Sequence, residues 1–161
     1  MIVVSDASPI VAFFELQLLE LLPTLFKEVT VPEAVYQELL TLAPYYETLA
    51  PITEATWLRI IPVIDKNQVE RLCESIDAGE AEAIILYRQV NADLLLIDER
   101  AGRLVAKEME IEAIGTLGIL RQAKLKGLIS ELKPAIEHLR GRLKFRLSDS
   151  LIQQVLKSVG E

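Results

Sequence analysis

Residues 79–98 read GEAEAIILYRQVNADLLLID, and the assignment of this stretch decides how the rest of the chain is arranged. Asp77 followed three residues later by Glu80 is a capping-box pattern, so the spacing predicts a helix from about Ala78 to Val90. At about 100° per residue, Glu80 falls with Ala83, Ile84 and Tyr87, whereas Glu82 shares the other face with Gln89. Of the two glutamates, Glu80 is the one aimed inward. After Asn91-Ala92 comes Asp93-Leu-Leu-Leu-Ile97, a short continuous apolar run of the kind that fills a strand buried on both faces. Asp98 stands at its C-terminal end, the edge at which open parallel sheets bind ligands. One helix-to-strand unit therefore carries an acid at each end.

The same order of strand, acid and helix occurs at the start of the chain. The β-branched run Ile2–Ser5 ends at Asp6, and Ser8-Pro9 reads as N-cap and first helical residue. That helix carries Ile10, Val11, Phe13 and Phe14, with a second apolar segment at Leu16–Phe26. Val29–Val31 reads as a brief strand, and Pro32 opens a helix to about Leu42. Its buried stripe is Val35, Leu39 and Leu42, with Glu38 on the margin where it could face a cleft. Residues 43–57 read as a short helix and a loop. Leu58–Ile61 is an edge-strand candidate, and Gln68–Glu74 a short helix leading into the central unit.

Beyond Asp98 the pattern predicts a helix over 100–108, a strand over 111–114 and a helix over 117–126 with Gly127 at its end. Pro134 opens a further helix to about Arg140, broken by Gly141. Ser148 caps a last amphipathic helix, Leu151–Val159, within 148–159. Strands alternating with helices imply an α/β protein: a small parallel sheet, right-handed crossovers, and helices on both faces.

With 161 residues, 51% of them hydrophobic, the chain is expected to form one domain with a core that needs no disulfide or structural metal. No apolar run approaches the roughly 20 residues that span a bilayer. The opening MIVVSD is strand-like, with neither a basic region nor a cleavage site, so the expected location is the cytoplasm. One cysteine, Cys73, and one histidine, His138, are too few for a disulfide or an ordinary zinc site, so oxygen should hold any metal. The net charge of −7 argues against a general nucleic-acid coat protein, yet the charge is segregated. Residues 1–99 hold 17 acidic and five basic side chains, and residues 100–161 hold seven and 12. A cation-binding half beside a phosphate-attracting half would look like this, as would chance segregation on the surface.

Four carboxylates stand out together: Asp6 and Asp98 at strand ends, Glu80 in a first helical turn and Glu38 on a helix margin. Like charges gathered in a cleft raise one another's pKa, so such a cluster is costly unless a cation neutralises it. Hard oxygen ligands select Mg²⁺ or Mn²⁺. A cation held there could activate a water and stabilise charge developing on a phosphodiester. Each acid also has an ordinary role open to it. Glu80 can complete the capping box, Asp98 can cap the next helix, Asp6 can form an Asx-turn, and Glu38 can be a solvated helix residue. Ser8 can be a cap or can support a metal-bound water.

The combination resembles the PIN-domain family, metal-dependent ribonucleases that include the toxins of VapBC-type toxin–antitoxin pairs. The likeness rests on Asp6-Ala-Ser8, on Glu38 32 residues later, and on Glu80 and Asp98, 18 apart. GEAEAI at 79–84, LLLIDER at 94–100, GTLGIL at 115–120 and the ending 148–161 are similar to a prokaryotic branch described only as a domain of unknown function. The resemblance implies a three-layer α/β/α sandwich on a four- or five-stranded parallel sheet. It implies Asp6, Glu38, Glu80 and Asp98 as site acids, with metal on Asp6, Glu80 and Asp98, and a homodimer. Two departures are visible. Glu80 stands where many members have aspartate, and Leu96 stands two residues before the fourth acid, where many have a hydroxyl.

Arg100, Arg103 and Lys107, spaced i, i+3, i+7, share one helix face just beyond Asp98, a candidate track for RNA phosphates or a solvated face. Arg140, Arg142, Lys144 and Arg146 form a second candidate track, or a flexible arm. The expected function is a metal-dependent endoribonuclease with RNA as substrate and an antitoxin as partner. The alternative is a degenerate PIN-like module that binds RNA or protein.

Overall fold

The computed structural model describes all residues, Met1–Glu161. In chain order the elements are β1 (Val3–Ser5), α1 (Ala7–Glu15), α2 (Leu21–Phe26), β2 (Val29–Val31), α3 (Glu33–Leu40), a 3₁₀ turn at Ala43–Tyr45, α4 (Ala50–Thr53) and β3 (Leu58–Ile60). They continue with α5 (Lys66–Leu72), α6 (Ala78–Gln89), β4 (Leu94–Leu96), α7 (Arg100–Glu108), β5 (Ala113–Ile114), α8 (Thr116–Leu125), α9 (Lys133–Gly141) and α10 (Asp149–Ser158). The five strands form one all-parallel sheet in the order β3-β2-β1-β4-β5. The chain winds outward from β1 to β3, then returns to the other side of β1 with β4. The topological switch point, where parallel sheets open a crevice, therefore lies between β1 and β4.

Residue alternation along these strands feeds two separate layers. Val3 and Leu96 join a core built from α1, α2, α3, α8 and α9, with Ile10, Phe13, Leu22, Val35, Leu120 and Leu139 among its buried members. Val4, Leu95 and Ile97 join the opposite layer, under α5, α6 and α7, with Val69, Ile84, Ile85 and Ala106. The result is the three-layer sandwich, with strand pairs Val3–Leu94, Val4–Leu95 and Ser5–Leu96 in register at its centre. No helix is long and apolar enough to cross a membrane.

The predicted helix 78–90 begins at the capping box, with the Asp77 carboxylate accepting from the Glu80 amide at 2.8 Å and the Glu80 carboxylate accepting from the Asp77 amide at 3.1 Å. The start of α1 differs from expectation. Asp6, not Ser8, occupies the N-cap position, and Ser8 lies inside the first turn with its hydroxyl turned to Asp98. The strand expected at 111–114 shortens to two residues because Ile111 packs inward under α7. Gly141 is the last residue of α9, so that helix ends where the glycine is expected to end it, and Leu42 lies beyond the end of α3, half-buried.

α10 is capped by the Ser148 hydroxyl, which accepts from the Leu151 amide at 3.1 Å. Its apolar side, Ile152, Val155, Leu156 and Val159, packs partly on the first core layer of its own chain. Glu161 fastens the end by accepting from the Leu132 amide at 2.6 Å and the Lys133 amide at 3.2 Å, at the start of α9.

Candidate active site

The C-terminal ends of β1 and β4 point the following residues at the switch point, and two of the four predicted acids arrive this way. Asp6 follows β1 and is only 5% exposed. Its backbone amide is tied to the Leu96 carbonyl at 2.9 Å, while its side chain caps no amide of α1. Glu80 is 3% exposed at the start of α6. Glu38 reaches in from α3: its residue is exposed, yet a β-carbon at Gly79 would lie 2.2 Å from Glu38 Oε1 and 3.4 Å from Asp6 Oδ1. Only a glycine lets both carboxylates press against the first turn of α6. Glu82 points away, as the periodicity requires, and accepts from the Ala34 amide at 3.4 Å.

The electrostatics show that these acids sense one another. Burial pushes the Asp6 carboxyl up to about 7, opposed by the neighbouring Ala7 amide and reinforced by the charges of Glu38, Asp77 and Glu80. Glu38 is raised by burial and then by Asp77. Glu80 is raised by burial, lowered by its bond to the Asp77 amide, and raised again by Asp77, Glu99 and Glu38. Asp77 is thus a fourth carboxylate of the cluster, beside Asp6, Glu38 and Glu80. In the sequence it reads as a cap and nothing more. The motif does hold a signal for Gly79, whose place directly before the inward glutamate marks a close approach.

Asp98 has a different setting. Its Oδ1 accepts from the Thr116 amide at 2.7 Å, and its Oδ2 accepts from the Thr116 hydroxyl at 2.7 Å and the Ser8 hydroxyl at 3.0 Å. It is not the cap of the next helix, since Glu99 holds that position. The hydroxyl that Leu96 lacks is therefore supplied from elsewhere. Leu96 itself is fully buried in the core, where a hydroxyl would need a partner. Thr116 reads in the GTLGIL turn as a helix start, and nothing in the local pattern assigns it to Asp98.

Thr116 is fully buried, so its hydroxyl bond to a carboxylate can be tested directly. Thr116→Val should destabilise the protein by roughly 1.5–3 kcal/mol, the usual range for a hydrogen bond to a charged group. Thr116→Ser should retain most of that stability in urea titrations. Equal stability of the valine variant and wild type would remove Thr116 from the account of Asp98.

Two depressions flank the acids. On one side a cavity of about 690 Å³ is lined by Asp98, Arg100, Arg103, Leu104 and Lys107, with Glu110 and Glu112 also on its wall. Arg103 comes close to Asp98, since a β-carbon at Gly115 would lie 2.9 Å from Asp98 Oδ1 and 3.3 Å from Arg103 Nη1. On the other side a cavity of about 450 Å³ is lined by Cys73, Glu74, Asp77, Glu80 and Glu99. The first sets three cations against three acids, whereas the second carries acids alone and repels a polyanion.

The sequence matches the PIN domain family over residues 2–161. This chain belongs to the PIN-domain family. No curated protein matches it. The family is one of nucleases that typically use divalent metals, and the acids of this PIN domain can be set against that chemistry. As they stand, no three His, Cys, Asp or Glu side chains are arranged to hold a metal ion. The donor set still fits a hard divalent cation: every candidate is a carboxylate, and Asp6, Glu38 and Glu80 are all held above their ordinary pKa. Asp98 fits less directly, with three donors already on its two oxygens.

Proposed function

We propose that this PIN-domain protein is an endoribonuclease working with Mg²⁺ or Mn²⁺, a single domain over residues 1–161, and the toxin of a toxin–antitoxin pair acting in the cytoplasm as a homodimer. One observation carries the nuclease reading. Asp6 is a buried acid at the switch point with its carboxyl pushed up to about 7, beside Glu38, Asp77 and Glu80. Folding gathers these charges at a cost that a bound cation would offset. The antitoxin and the dimer rest on the family resemblance alone.

In this reading Asp6, Glu80 and Asp98 would hold the cation. When bound, such an ion lowers the pKa of a water and stabilises charge on a phosphodiester. Glu38, on the exposed rim of the cleft, is placed to take a proton from the attacking water. Asp98, fixed by Ser8 and Thr116, keeps the edge of the site in one geometry. Arg100, Arg103 and Lys107 would receive the RNA phosphates, while the acidic depression on the other side turns the strand away.

Glu38 is the position to test, because its exposure spares the fold. Wild type should cut single-stranded RNA under saturating Mn²⁺, and Glu38→Gln should spare it; equal cutting by both would sink the reading. A second reading, a degenerate PIN module that binds RNA or protein, is favoured by the Glu80 carboxylate being engaged in the capping box and by Asp98 already accepting from three donors. Calorimetric titration with Mn²⁺ separates the two, since a folded protein that binds no metal supports the second.

A further inference from the structure

The segment after α9 alternates in burial. Leu143, Phe145 and Leu147 pack against the first core layer, and Arg142, Lys144 and Arg146 between them are exposed. Backbone bonds hold the segment in place: Leu143 donates to the His138 carbonyl at 3.2 Å and Phe145 to the Leu139 carbonyl at 2.8 Å. Lys144, three residues beyond the end of α9, takes the left-handed conformation at φ 56°. This is an anchored comb, not a loose arm. None of its three cations has an acidic partner, whereas the neighbouring Arg140 is paired with Asp149 at 2.7 Å. The acid at the end of α1, Glu15, is engaged by the Tyr46 hydroxyl.

The comb also has a defined place. The Tyr46 hydroxyl bonds to Glu15 at the C-terminal end of α1, and the Arg142 guanidinium opposes the burial and the Glu15 charge that hold this hydroxyl up at about 12, so Arg142 lies within electrostatic reach of that helix end. Asp6 stands at the other end of that nine-residue helix, about 13 Å away at 1.5 Å per residue. In a chain of net charge −7, three unpaired cations on a fixed backbone concentrate positive potential at a point remote from the acids.

We propose that Arg142, Lys144 and Arg146 form a second, sequence-independent site for the phosphates of a single-stranded RNA long enough to run from the acidic edge along α1. The anchoring of the apolar residues means that little order need be gained on binding. No stacking aromatic alternates with the cations on the exposed side, so backbone phosphate is the feature such a comb can hold. The proposal rests on RNA being the substrate of the acidic site.

The test uses the full chain with Arg142, Lys144 and Arg146 all replaced by Gln, and with Arg142→Lys plus Arg146→Lys as a charge-keeping control. Binding is measured in EDTA, so it does not depend on catalysis. For a long single strand the dependence of log affinity on log salt should fall in magnitude by about 2 in the triple variant, at about 0.7 for each phosphate that is no longer neutralised. The lysine control should keep the wild-type slope. An unchanged slope for the long strand overturns the proposal. So does a triple variant that keeps RNA but loses binding to polyglutamate, which would assign the surface to an acidic protein. Failure of wild type to cut RNA in Mn²⁺ would count against the nuclease reading, and the EDTA slopes would still judge the comb.

Discussion

Asp6→Asn is expected to abolish RNA cleavage under saturating Mn²⁺ and, in the same protein, to raise metal-free stability at pH 8. The two effects share one cause. The Asp6 carboxyl stands at about 7 in the fold against an ordinary 3.8. A group raised in the folded state contributes stability that is fully present below its unfolded pKa and is lost as pH rises through its folded pKa. Metal-free wild type should therefore weaken from about pH 4 to pH 7 and level off above. At 1.36 kcal/mol per pKa unit, the Asp6 contribution amounts to about 4 kcal/mol at most. Asparagine has nearly the same shape and no charge, so it should recover much of that at pH 8. Glu38 and Glu80 are raised in the same direction, so the variant should keep a shallower slope. Urea midpoints in EDTA at pH 5 and pH 8 measure this, and Mn²⁺ should stabilise wild type while leaving the variant unmoved. An asparagine variant weaker than wild type at pH 8 would show that the cluster is not under electrostatic tension.

The second large effect is expected at Gly79, and it should separate stability from activity. An alanine there introduces a β-carbon 2.2 Å from Glu38 Oε1 and 3.2 Å from Glu38 Cδ. The obstruction is the far end of a flexible side chain, so Glu38 can swing out of the cleft. Alanine also favours a helix over glycine by about 0.8–1.0 kcal/mol in an interior position. Gly79→Ala should thus stay within about 1 kcal/mol of wild-type stability while losing the shared position of Glu38 and Asp6. Mn²⁺ affinity and cleavage should fall by roughly ten- to a hundredfold, the scale seen when metal ligands lose their support. If the variant unfolds instead, adding Glu38→Ala should restore it by removing the clash. Wild-type cleavage by Gly79→Ala would show that Glu38 is not needed near Asp6.

Reading this chain from its residues succeeds where the deciding interactions are local. The capping box of Asp77 and Glu80 is a bond between residues three apart, and it is formed as the spacing requires. The inward turn of Glu80 and the outward turn of Glu82 follow from helical periodicity. Leu95 and Leu96 in the Leu94–Leu96 strand are buried because no polar side chain interrupts the run. Ser8 reads as a cap or as support for a metal-bound water, and its hydroxyl instead donates to Asp98, 90 positions away in sequence. Thr116 and Asp77 escape notice as site residues for the same reason. Each has a sufficient local role at a helix start, and its second role exists only across the sheet edge. The charges at 142–146 leave a phosphate track and a flexible arm equally open, and only the packing of Leu143, Phe145 and Leu147 reveals an anchor.

Short-range patterns alone determine that this protein alternates strands with helices and that Glu80 and Asp98 end one such unit, because capping, periodicity and apolar runs act over a few residues. Only the tertiary structure decides that β4 returns beside β1, which brings Asp6 and Asp98 to the two sides of one switch point. It alone shows that Asp98 is held by Ser8 and Thr116 while Asp6, Glu38 and Glu80 share a poorly solvated cleft. Burial and mutual repulsion depend on distances between residues far apart in the chain, and these exist only once the sheet has closed around them.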